Sequence, residues 1–293
     1  MNSDRLDRNI RLFGIEGQDK LFECRVGVVG IGGLGTHVVQ QLSLLGVGSL
    51  ILIDDENVDP TNLNRYVGIS YADAVSGIPK VEAAARLAHS IDPEIHVEGI
   101  PQNLVSDAAF KAIVASDHVF GCLDSEGARL ILNELCAAYD RCYYDLATEI
   151  IAEESLLYGG RVCINGQGCI ACRGVLDLKE AQADLADSNA RRARAGLYGI
   201  ENQALGRSGP SVVSINGVIA SLAVTEFMVT VTGLRAPNGL TTYRGEIGKV
   251  LVCTDPPKPN CYYCKGIRGI GDRADVQRFI RAGCDKPLRQ QPK

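Results

Sequence analysis

Short apolar stretches alternate with amphipathic stretches along the first half of the chain. Residues 25–31 are rich in valine, and residues 49–53 form a continuous apolar run of the kind that a parallel sheet buries on both faces. Between them, residues 33–46 follow helical spacing and end on a glycine, a common helix stop. The alternation continues as strands at 95–99, 118–121 and 142–146 and helices at 79–91, 107–115 and 127–139. It predicts an α/β fold with a doubly wound, mostly parallel sheet.

The pattern changes after residue 146. Further strands are predicted at 155–165, 240–244 and 249–253, with a long helix at 210–232 and a short one at 273–282; residues 55–71 and 177–209 are polar. The long helix overlaps an uncharged run, 208–225, that contains several serines. We therefore expect a buried core helix there and not a membrane span.

Composition and charge exclude several classes of function. The chain has 293 residues, 46% apolar and 22% charged, with a formal net charge of −5, which is ordinary for a soluble protein and implies no general affinity for nucleic acid. The N-terminus is charged and has no apolar run of signal-peptide length. The cysteines number 11, which without an export signal favours a reducing, cytoplasmic location and thiol or metal roles.

A glycine-rich loop lies between the first predicted strand and the first predicted helix. It contains Gly30, Gly32, Gly33 and Gly35. Glycines let backbone N–H groups approach a phosphate, and a helix N-terminus adds partial positive charge. Asp54 follows the next strand, where a carboxylate can accept hydrogen bonds from a ribose. The sequence therefore predicts a nucleotide site. An NAD-dependent oxidoreductase is the alternative on the glycine loop alone, but the four histidines offer no partners for hydride transfer.

Charged residues in later loops favour a triphosphate. Asn62 and Arg65 follow Asp54, Lys80 begins a predicted helix, and Asp124 follows the strand at 118–121. Chemistry on ATP needs cations around the phosphates and a carboxylate that holds Mg²⁺. Each of these residues alone is ordinary surface, but four of them at the ligand edge of one sheet favour ATP.

Several short stretches occur in a recognisable order. They are RNIRLFG at 8–14, GIGGLG at 30–35, DDENVDPTNLNRY at 54–66, GIPK at 77–80 and CLDS at 122–125, followed by two CxxC pairs. On these stretches the chain resembles the ThiF/MoeB-like superfamily of ubiquitin-like-protein activating enzymes over residues 4–265. The resemblance implies a Rossmann-like adenylation domain at 1–265, with a nucleotide-binding half at about 20–150, a substrate-side and zinc half at about 151–265, and a tail at 266–293.

The resemblance also implies an activity. It predicts an adenylyltransferase that uses ATP to activate a small ubiquitin-like or sulfur-carrier protein at its C-terminal glycine carboxylate, giving an acyl-adenylate and pyrophosphate. The matching positions are Asp54 for the ribose, Asn62, Arg65 and Lys80 for the phosphates, and Asp124 for magnesium. Arg8 matches an arginine that reaches the ATP of the neighbouring subunit, which implies a homodimer. Catalysis would then rest on Arg8, Arg65, Lys80 and Asp124.

Two cysteine pairs have the spacing of a metal site. Cys169 and Cys172 form one pair, and Cys261 and Cys264 form the other, about 90 residues later. Four thiolates suit tetrahedral Zn²⁺ and leave no open position, which is typical of a structural site. Two redox pairs or free thiols are the alternatives, and the resemblance supports zinc. Residues 173–252 contain no cysteine, so a thioester-forming residue is not predicted there.

Other functions stay open beside the preferred hypothesis, adenylation in a bacterial ubiquitin-like conjugation pathway. Sulfur-carrier activation for thiamin or molybdopterin synthesis would use the same residues, and so would adenylation of a short peptide. A non-catalytic nucleotide-binding scaffold is disfavoured because Arg8, Arg65, Lys80 and Asp124 occur together. The basic run at 191–194 fits a solvated loop or a clasp for an acidic partner.

Overall fold

An eight-stranded mixed sheet runs through the computed structural model, which describes residues 3–152, 156–186 and 211–281. The strands are β1 Arg25–Val29, β2 Ser49–Ile53, β3 His96–Ile100, β4 His118–Gly121, β5 Cys142–Ala152, β6 Leu156–Ile164, β7 Leu240–Arg244 and β8 Lys249–Val252. Their order in the sheet is β3-β2-β1-β4-β5-β6-β7-β8. The predicted fold class, a doubly wound, Rossmann-like sheet completed by a C-terminal extension, is confirmed.

The parallel half of the sheet places three strand ends side by side. Val29 at the end of β1 lies opposite Ile53 of β2 on one side and Gly121 of β4 on the other. Leu50 and Ile51 point to opposite faces of the sheet and are both 0% exposed because helices cover both faces, which explains the continuous apolar run. The chain order reverses on either side of β1, so the segments that follow β1, β2 and β4 meet at one edge of the sheet.

Helices cover both faces. The α-helices of the described residues are α1 Ser3–Glu23, α2 Gly33–Leu45, α3 Tyr71–Ser76, α4 Lys80–Ile91, α5 Asp107–Ala115, α6 Glu126–Ala138, α7 Leu178–Leu185, α8 Val213–Thr232 and α9 Arg278–Arg281. One core lies between the sheet and helices α2, α4 and α8, with Val38 and Phe227 fully buried. The other lies under α5 and α6, with Ile113 and Ile131 fully buried.

α8 is long and apolar enough to cross a membrane when only its length and composition are considered. In this fold it packs against α1, α2, β5 and β6. Ile219, Ala223 and Phe227 on its inner face are 0% exposed. α8 is therefore a buried core helix, as the sequence predicted.

The C-terminal segment closes over α6. The Gly269 N–H donates to the Ala137 carbonyl oxygen at 3.0 Å. Arg278 pairs with Glu134 of α6 at 2.5 Å, and Val276 is only 1% exposed. The segment predicted as a tail therefore lies on the domain as far as residue 281.

Two segments are more regular than their sequences suggested. The charged N-terminus forms the long helix α1, which bends at Gly14 (φ 75°, ψ 171°) and is held by buried Leu6 and Leu21. α7 lies in a stretch that the sequence showed only to be polar and charged. The Asp177 side chain caps it by accepting hydrogen bonds from the Lys179 and Glu180 N–H groups at 2.8 and 3.1 Å.

Two other predictions need correction. β5 runs beyond residue 146 to Ala152 because β6 pairs with it along its whole length, from Tyr144 opposite Ile164 to Ala152 opposite Leu156. The single helix predicted at 273–282 is wrong. A 3-10 turn ends at Ala274, Asp275 adopts a left-handed conformation (φ 51°), and α9 begins only at Arg278.

Candidate active site

Two glycines where β1 leads into α2, Gly30 and Gly35, lie too close to neighbouring backbone to carry a side chain. Gly30 has a left-handed backbone (φ 89°), and its N–H donates to the Ile53 carbonyl oxygen at 2.9 Å. A Cβ on Gly30 would lie 2.6 Å from the Cys122 carbonyl oxygen, and one on Gly35 would lie 2.1 Å from the Gly30 carbonyl oxygen. Both obstacles are backbone atoms, which cannot rotate away. The glycines therefore let the loop fold against the ends of β2 and β4.

The first turn of α2 is left without a side-chain cap. Gly32 is its N-cap residue, so the first N–H groups of the helix have no side-chain acceptor. A Cβ on Gly33 would lie 2.3 Å from Asn216 Nδ2, whereas one on Gly32 would meet only the Tyr66 hydroxyl, at 3.6 Å. Free N–H groups at a helix N-terminus attract anions. This turn can therefore accept phosphate oxygens.

Asp54 lies directly after β2, with its carboxylate turned to the glycine loop. One oxygen accepts a hydrogen bond from the Ile31 N–H at 2.6 Å, and the other accepts from the Glu56 N–H at 2.9 Å. Burial raises the pKa of Asp54, and the nearby Lys80 ammonium opposes that rise. Each oxygen keeps a second lone pair, so the carboxylate can still accept a hydrogen bond from a bound hydroxyl.

Lys80 is a buried cation at the first position of α4, directly after the N-cap residue Pro79. Its side chain is 6% exposed and its ammonium pairs with the Glu56 carboxylate, which is 53% exposed. The ammonium also lies 5.3 Å from the centre of the Tyr66 ring. Burial lowers the pKa of Lys80, but the carboxylates of Asp54 and Glu56 outweigh burial and hold the pKa above its usual value. The amine therefore stays charged at neutral pH.

Asn62 shapes the loop that follows Asp54. It ends the single turn Pro60–Asn62, which the Asp59 side chain caps. The Asn62 side-chain oxygen accepts a hydrogen bond from the Asp59 N–H at 3.1 Å, which completes a capping box. With 3% exposure, Asn62 is held in place within the loop.

Arg65 lies in the same loop, and its side chain runs beside the glycine loop. Its guanidinium donates to the Thr61 carbonyl oxygen at 2.5 Å. Its Cγ passes 3.5 Å from the place where a Cβ on Gly33 would be, and the guanidinium carbon lies 5.3 Å from the centre of the Tyr66 ring. Two cations, Arg65 and Lys80, thus lie beside the glycine loop.

Asp124 lies at the same edge, beyond β4. The Cys122 N–H donates to the Val29 carbonyl oxygen at 2.8 Å, which fixes the end of β4 beside the glycine loop. Asp124 follows two residues later and is exposed, and Ser125 then caps α6 by accepting from the Ala128 N–H at 3.2 Å. An accessible carboxylate is the hard oxygen donor that Mg²⁺ prefers, so this position fits a magnesium ligand.

Arg8 lies apart from these groups. Its neighbours Arg5 and Asn9 donate to the carbonyl oxygens of Ser43 and Leu45, at 3.1 and 3.3 Å, near the C-terminal end of α2. The glycine loop is at the other end of this 13-residue helix, about 20 Å away. Arg8 is exposed, and it lies in the part of α1 that contacts the end of α2 far from its own chain's glycine loop.

The four cysteines of the two CxxC pairs come together. Their sulfurs lie within 4.8 Å of one another, and three of the separations are 3.7, 3.8 and 3.9 Å. A tetrahedron with metal–sulfur bonds of about 2.3 Å has edges of about 3.8 Å. The tetrad, Cys169, Cys172, Cys261 and Cys264, therefore fits tetrahedral Zn²⁺ without rearrangement.

Three contacts of the site had no assigned role at the sequence level. Glu56 and Tyr66 lie in the stretch that carries the resemblance, so their position along the chain was the available signal. Asn216 lies on α8, and it contacts Gly33 only because the fold brings α8 over α2. The basic run at 191–194 lies outside the described residues.

A buried ion pair behind the site was also missed. Arg129 of α6 and Asp145 of β5 are 3% and 0% exposed, and Arg129 Nε donates to Asp145 at 3.0 Å. Glu126 pairs with the same guanidinium and accepts a hydrogen bond from the Asp177 N–H at 2.8 Å. The start of α6 is thereby joined to the segment that follows the first cysteine pair.

Curated relatives match part of the chain. SAMP-activating enzyme E1 of Haloferax volcanii is 36% identical over 135 residues, which cover 45% of this chain and 49% of that protein. Sulfur carrier protein ThiS adenylyltransferase of Escherichia coli is 30% identical over 174 residues, which cover 57% of this chain and 66% of that protein. The matched region thus spans about half to two thirds of the length of these relatives.

Solved structures share the fold over most of the chain. Escherichia coli MccB with ATP has a TM-score of 0.67 at 23% identity, and MccB with N-formylated MccA has a TM-score of 0.69 at 24% identity. Each covers 90% of this chain and 75% of its own. The model of the ThiF family matches residues 6–267. The chain therefore belongs to the ThiF family, and its curated relatives are named as adenylyltransferases and activating enzymes.

Proposed function

We propose that this chain adenylates the C-terminal glycine carboxylate of a small ubiquitin-like or sulfur-carrier protein. A carboxylate oxygen bonds to the α-phosphorus of ATP, the bond from that phosphorus to the oxygen bridging the β-phosphate breaks, and pyrophosphate leaves with the electron pair. The products are an acyl-adenylate and pyrophosphate. Relatives named SAMP-activating enzyme and ThiS adenylyltransferase support this class of substrate.

The pair of cations beside the glycine loop carries the proposal. Lys80 is charged yet only 6% exposed, and Arg65 lies against the same tyrosine ring. Negative charge builds on the α-phosphate oxygens and on the departing pyrophosphate in the transition state. Cations already in place there bind the transition state better than the ground state. The reaction then needs positioning and charge neutralisation and no protein nucleophile.

The other residues at this edge of the sheet have different roles in the proposed reaction. Asp54 accepts hydrogen bonds from the ribose, and Asn62 holds the loop that carries Arg65 to the phosphates. The glycine loop supplies backbone N–H groups through Gly30, Gly32, Gly33 and Gly35. Asp124 would hold Mg²⁺, which when bound neutralises and orients the phosphates.

Exchange of labelled pyrophosphate into ATP tests the reaction. With Mg²⁺ and the cognate carrier present, the wild-type chain should catalyse exchange, and Lys80→Met should lower the rate on the order of 100-fold. Lys111→Met is the matched control, because Lys111 is an exposed lysine of α5. Wild-type exchange by Lys80→Met would contradict the proposal, since the buried cation would then have no part in the reaction.

Arg8 supports a homodimer with shared sites as part of the same proposal. It is exposed and about 20 Å from its own glycine loop, so a phosphate contact would require a second chain. Mixing Arg8→Ala chains with Asp124→Ala chains should restore exchange, because each mixed dimer contains one site with both residues. A mixture as inactive as either parent, after verified subunit exchange, would exclude the shared site.

Edge strand β8 favours a folded substrate over a short peptide. Val250, Leu251 and Val252 are 49%, 46% and 47% exposed, and within the described residues β8 pairs only with β7. An open, apolar sheet edge is a surface on which a folded partner can dock. It lies five strand spacings, about 24 Å, from β1. An extended tail of about seven residues spans that distance.

The same edge provides a test of the substrate. Leu251→Lys should raise the KM for the carrier protein while the KM for its isolated C-terminal peptide stays unchanged. Equal effects on both substrates would remove β8 from partner recognition. The identity of the carrier that supports exchange also distinguishes the pathways. A ubiquitin-like protein would favour a conjugation pathway, our preferred assignment, and a sulfur carrier would favour thiamin or molybdopterin sulfur transfer.

A further inference from the structure

Tyr66 lies at the centre of the charged groups beside the glycine loop. It directly follows Arg65, and its N–H donates to the Asn62 carbonyl oxygen at 3.1 Å. The Arg65 guanidinium carbon and the Lys80 ammonium each lie 5.3 Å from the centre of its ring. Its hydroxyl lies 3.6 Å from the place where a Cβ on Gly32 would be. The ring thus spans from the two cations to the first turn of α2.

Two positive charges on one side of a nucleotide loop repel each other. The face of an aromatic ring carries partial negative charge and attracts cations within about 6 Å of its centre. Burial raises the pKa of Tyr66, while Lys80 and Arg65 oppose that rise to a smaller extent. The phenol is therefore uncharged at neutral pH, and the attraction comes from the ring and not from a phenolate.

The Glu56 carboxylate competes with the Tyr66 ring for the Lys80 ammonium. Lys80 is paired with Glu56, which draws the ammonium toward solvent because Glu56 is 53% exposed. Arg65 is partly exposed, and its guanidinium donates to two oxygens of its own loop, the Thr61 carbonyl oxygen at 2.5 Å and the Asn64 side-chain oxygen at 3.1 Å. Without the ring, the carboxylates of Glu56 and Asp54 would be the groups that attract Lys80, and Arg65 would lose the contact that turns it toward the glycine loop.

We propose that Tyr66 is a positioning residue whose ring holds Arg65 and Lys80 at the phosphate edge of the glycine loop. The proposal rests on the proposed adenylation, because the two cations are the groups assigned to the phosphates. The ring should therefore strengthen the binding of ATP and leave the binding of adenosine unchanged. The hydroxyl of Tyr66 also has a hydrogen bond with Lys80. The proposal assigns the positioning role to the face of the ring, so phenylalanine should replace tyrosine.

Calorimetric binding of ATP and of adenosine to the full chain tests the proposal without a carrier protein. Tyr66→Leu should weaken ATP binding about tenfold and leave adenosine binding unchanged, whereas Tyr66→Phe should bind both as the wild type does. Tyr71→Leu is the matched control, because Tyr71 is 72% exposed at the start of α3. In chains that already carry Lys80→Met and Arg65→Ala, Tyr66→Leu should have no further effect on ATP binding.

The outcomes separate this proposal from the proposed function. Exchange by the wild type together with unchanged ATP binding by a folded Tyr66→Leu chain would overturn the role of Tyr66 alone. Selective loss of ATP affinity in Tyr66→Leu, together with no pyrophosphate exchange by the wild type in the presence of any carrier protein, would uphold the role of Tyr66 and overturn adenylation. Equal weakening of ATP and adenosine, or failure of phenylalanine to substitute, would show that the ring acts on the fold and would overturn the proposal.

Discussion

The cysteine tetrad joins two parts of the chain that lie far apart in sequence. Cys169 faces Cys261 and Cys172 faces Cys264, each pair separated by 92 positions. We predict that one Zn²⁺ per chain occupies the tetrad. The perturbation is the double substitution Cys261→Ser with Cys264→Ser, which leaves only two sulfur ligands.

The size of the effect follows from the length of the closed loop. By the chain-entropy rule used for disulfides, a cross-link across about 92 residues lowers the entropy of the unfolded chain by an amount worth about 5 kcal/mol at 25 °C. For a chain of this size, that loss lowers Tm by roughly 10–20 °C. The variant should still fold, because Ile267 and Val276 remain packed at 3% and 1% exposure on the core beside α6 without help from the metal.

Metal analysis and urea unfolding provide the assay. Purified wild-type protein should contain close to one zinc per chain, and the variant should contain close to none. Cys253→Ser is the matched control, because Cys253 is a partly buried cysteine outside the tetrad. It should change the free energy of unfolding by no more than about 1 kcal/mol. A folded wild-type protein without metal and with four reactive thiols would refute the prediction, and so would a double variant as stable as Cys253→Ser.

Three further predictions concern the fold and the nucleotide edge. Burial lowers the pKa of His118 to about 4. Its value in the unfolded chain is about 6.5, so protonation favours unfolding and about 3 kcal/mol of stability is lost between pH 6.5 and pH 4. His118→Gln should flatten that slope in urea titrations, and an unchanged slope would rule the group out. Gly35→Ala should abolish ATP binding because its Cβ meets backbone at 2.1 Å, whereas Gly166→Ala, with nothing within 4 Å, should bind normally. Arg65→Ala should slow pyrophosphate exchange on the order of 100-fold, while Asp54→Ala should mainly weaken ATP binding. If Arg65→Ala mainly weakened ATP binding and Asp54→Ala mainly slowed the reaction, the roles assigned to the two residues would be wrong.

The parallel half of the fold could be predicted from the sequence because its signals are local. A buried parallel strand must be apolar throughout, and a helix that ends in a left-handed turn favours glycine, as Gly46 does here (φ 87°). The signals that failed are those set by distant partners. α1 looks like a charged, glycine-containing segment, and only its packing on α2 and α8 makes it a helix. The extra length of β5 is visible only once β6 lies beside it.

The residues of the site also divide into those that the sequence could identify and those that depend on distant partners. Gly30 and Gly35 could be identified because the loop, the strand before it and the helix after it are contiguous. The sequence could not show that Asn216 of α8 fills the space beside Gly33, or that Lys80 is paired with Glu56 and faces Tyr66. Those relations depend on how three separate segments meet at one sheet edge.

The metal tetrad and the nucleotide edge are connected through the interior. After Cys172, the Asp177 N–H donates to Glu126 at 2.8 Å, and Glu126 lies two residues beyond Asp124. Glu126 pairs with Arg129, and Arg129 pairs with the fully buried Asp145. Removing one member of such a buried pair costs about 3–5 kcal/mol because the other charge is left without compensation. The start of α6, and with it Asp124, is therefore held by the segment that the tetrad holds. The Zn²⁺ that we predict in the tetrad would thereby also fix the carboxylate that we propose as the magnesium ligand.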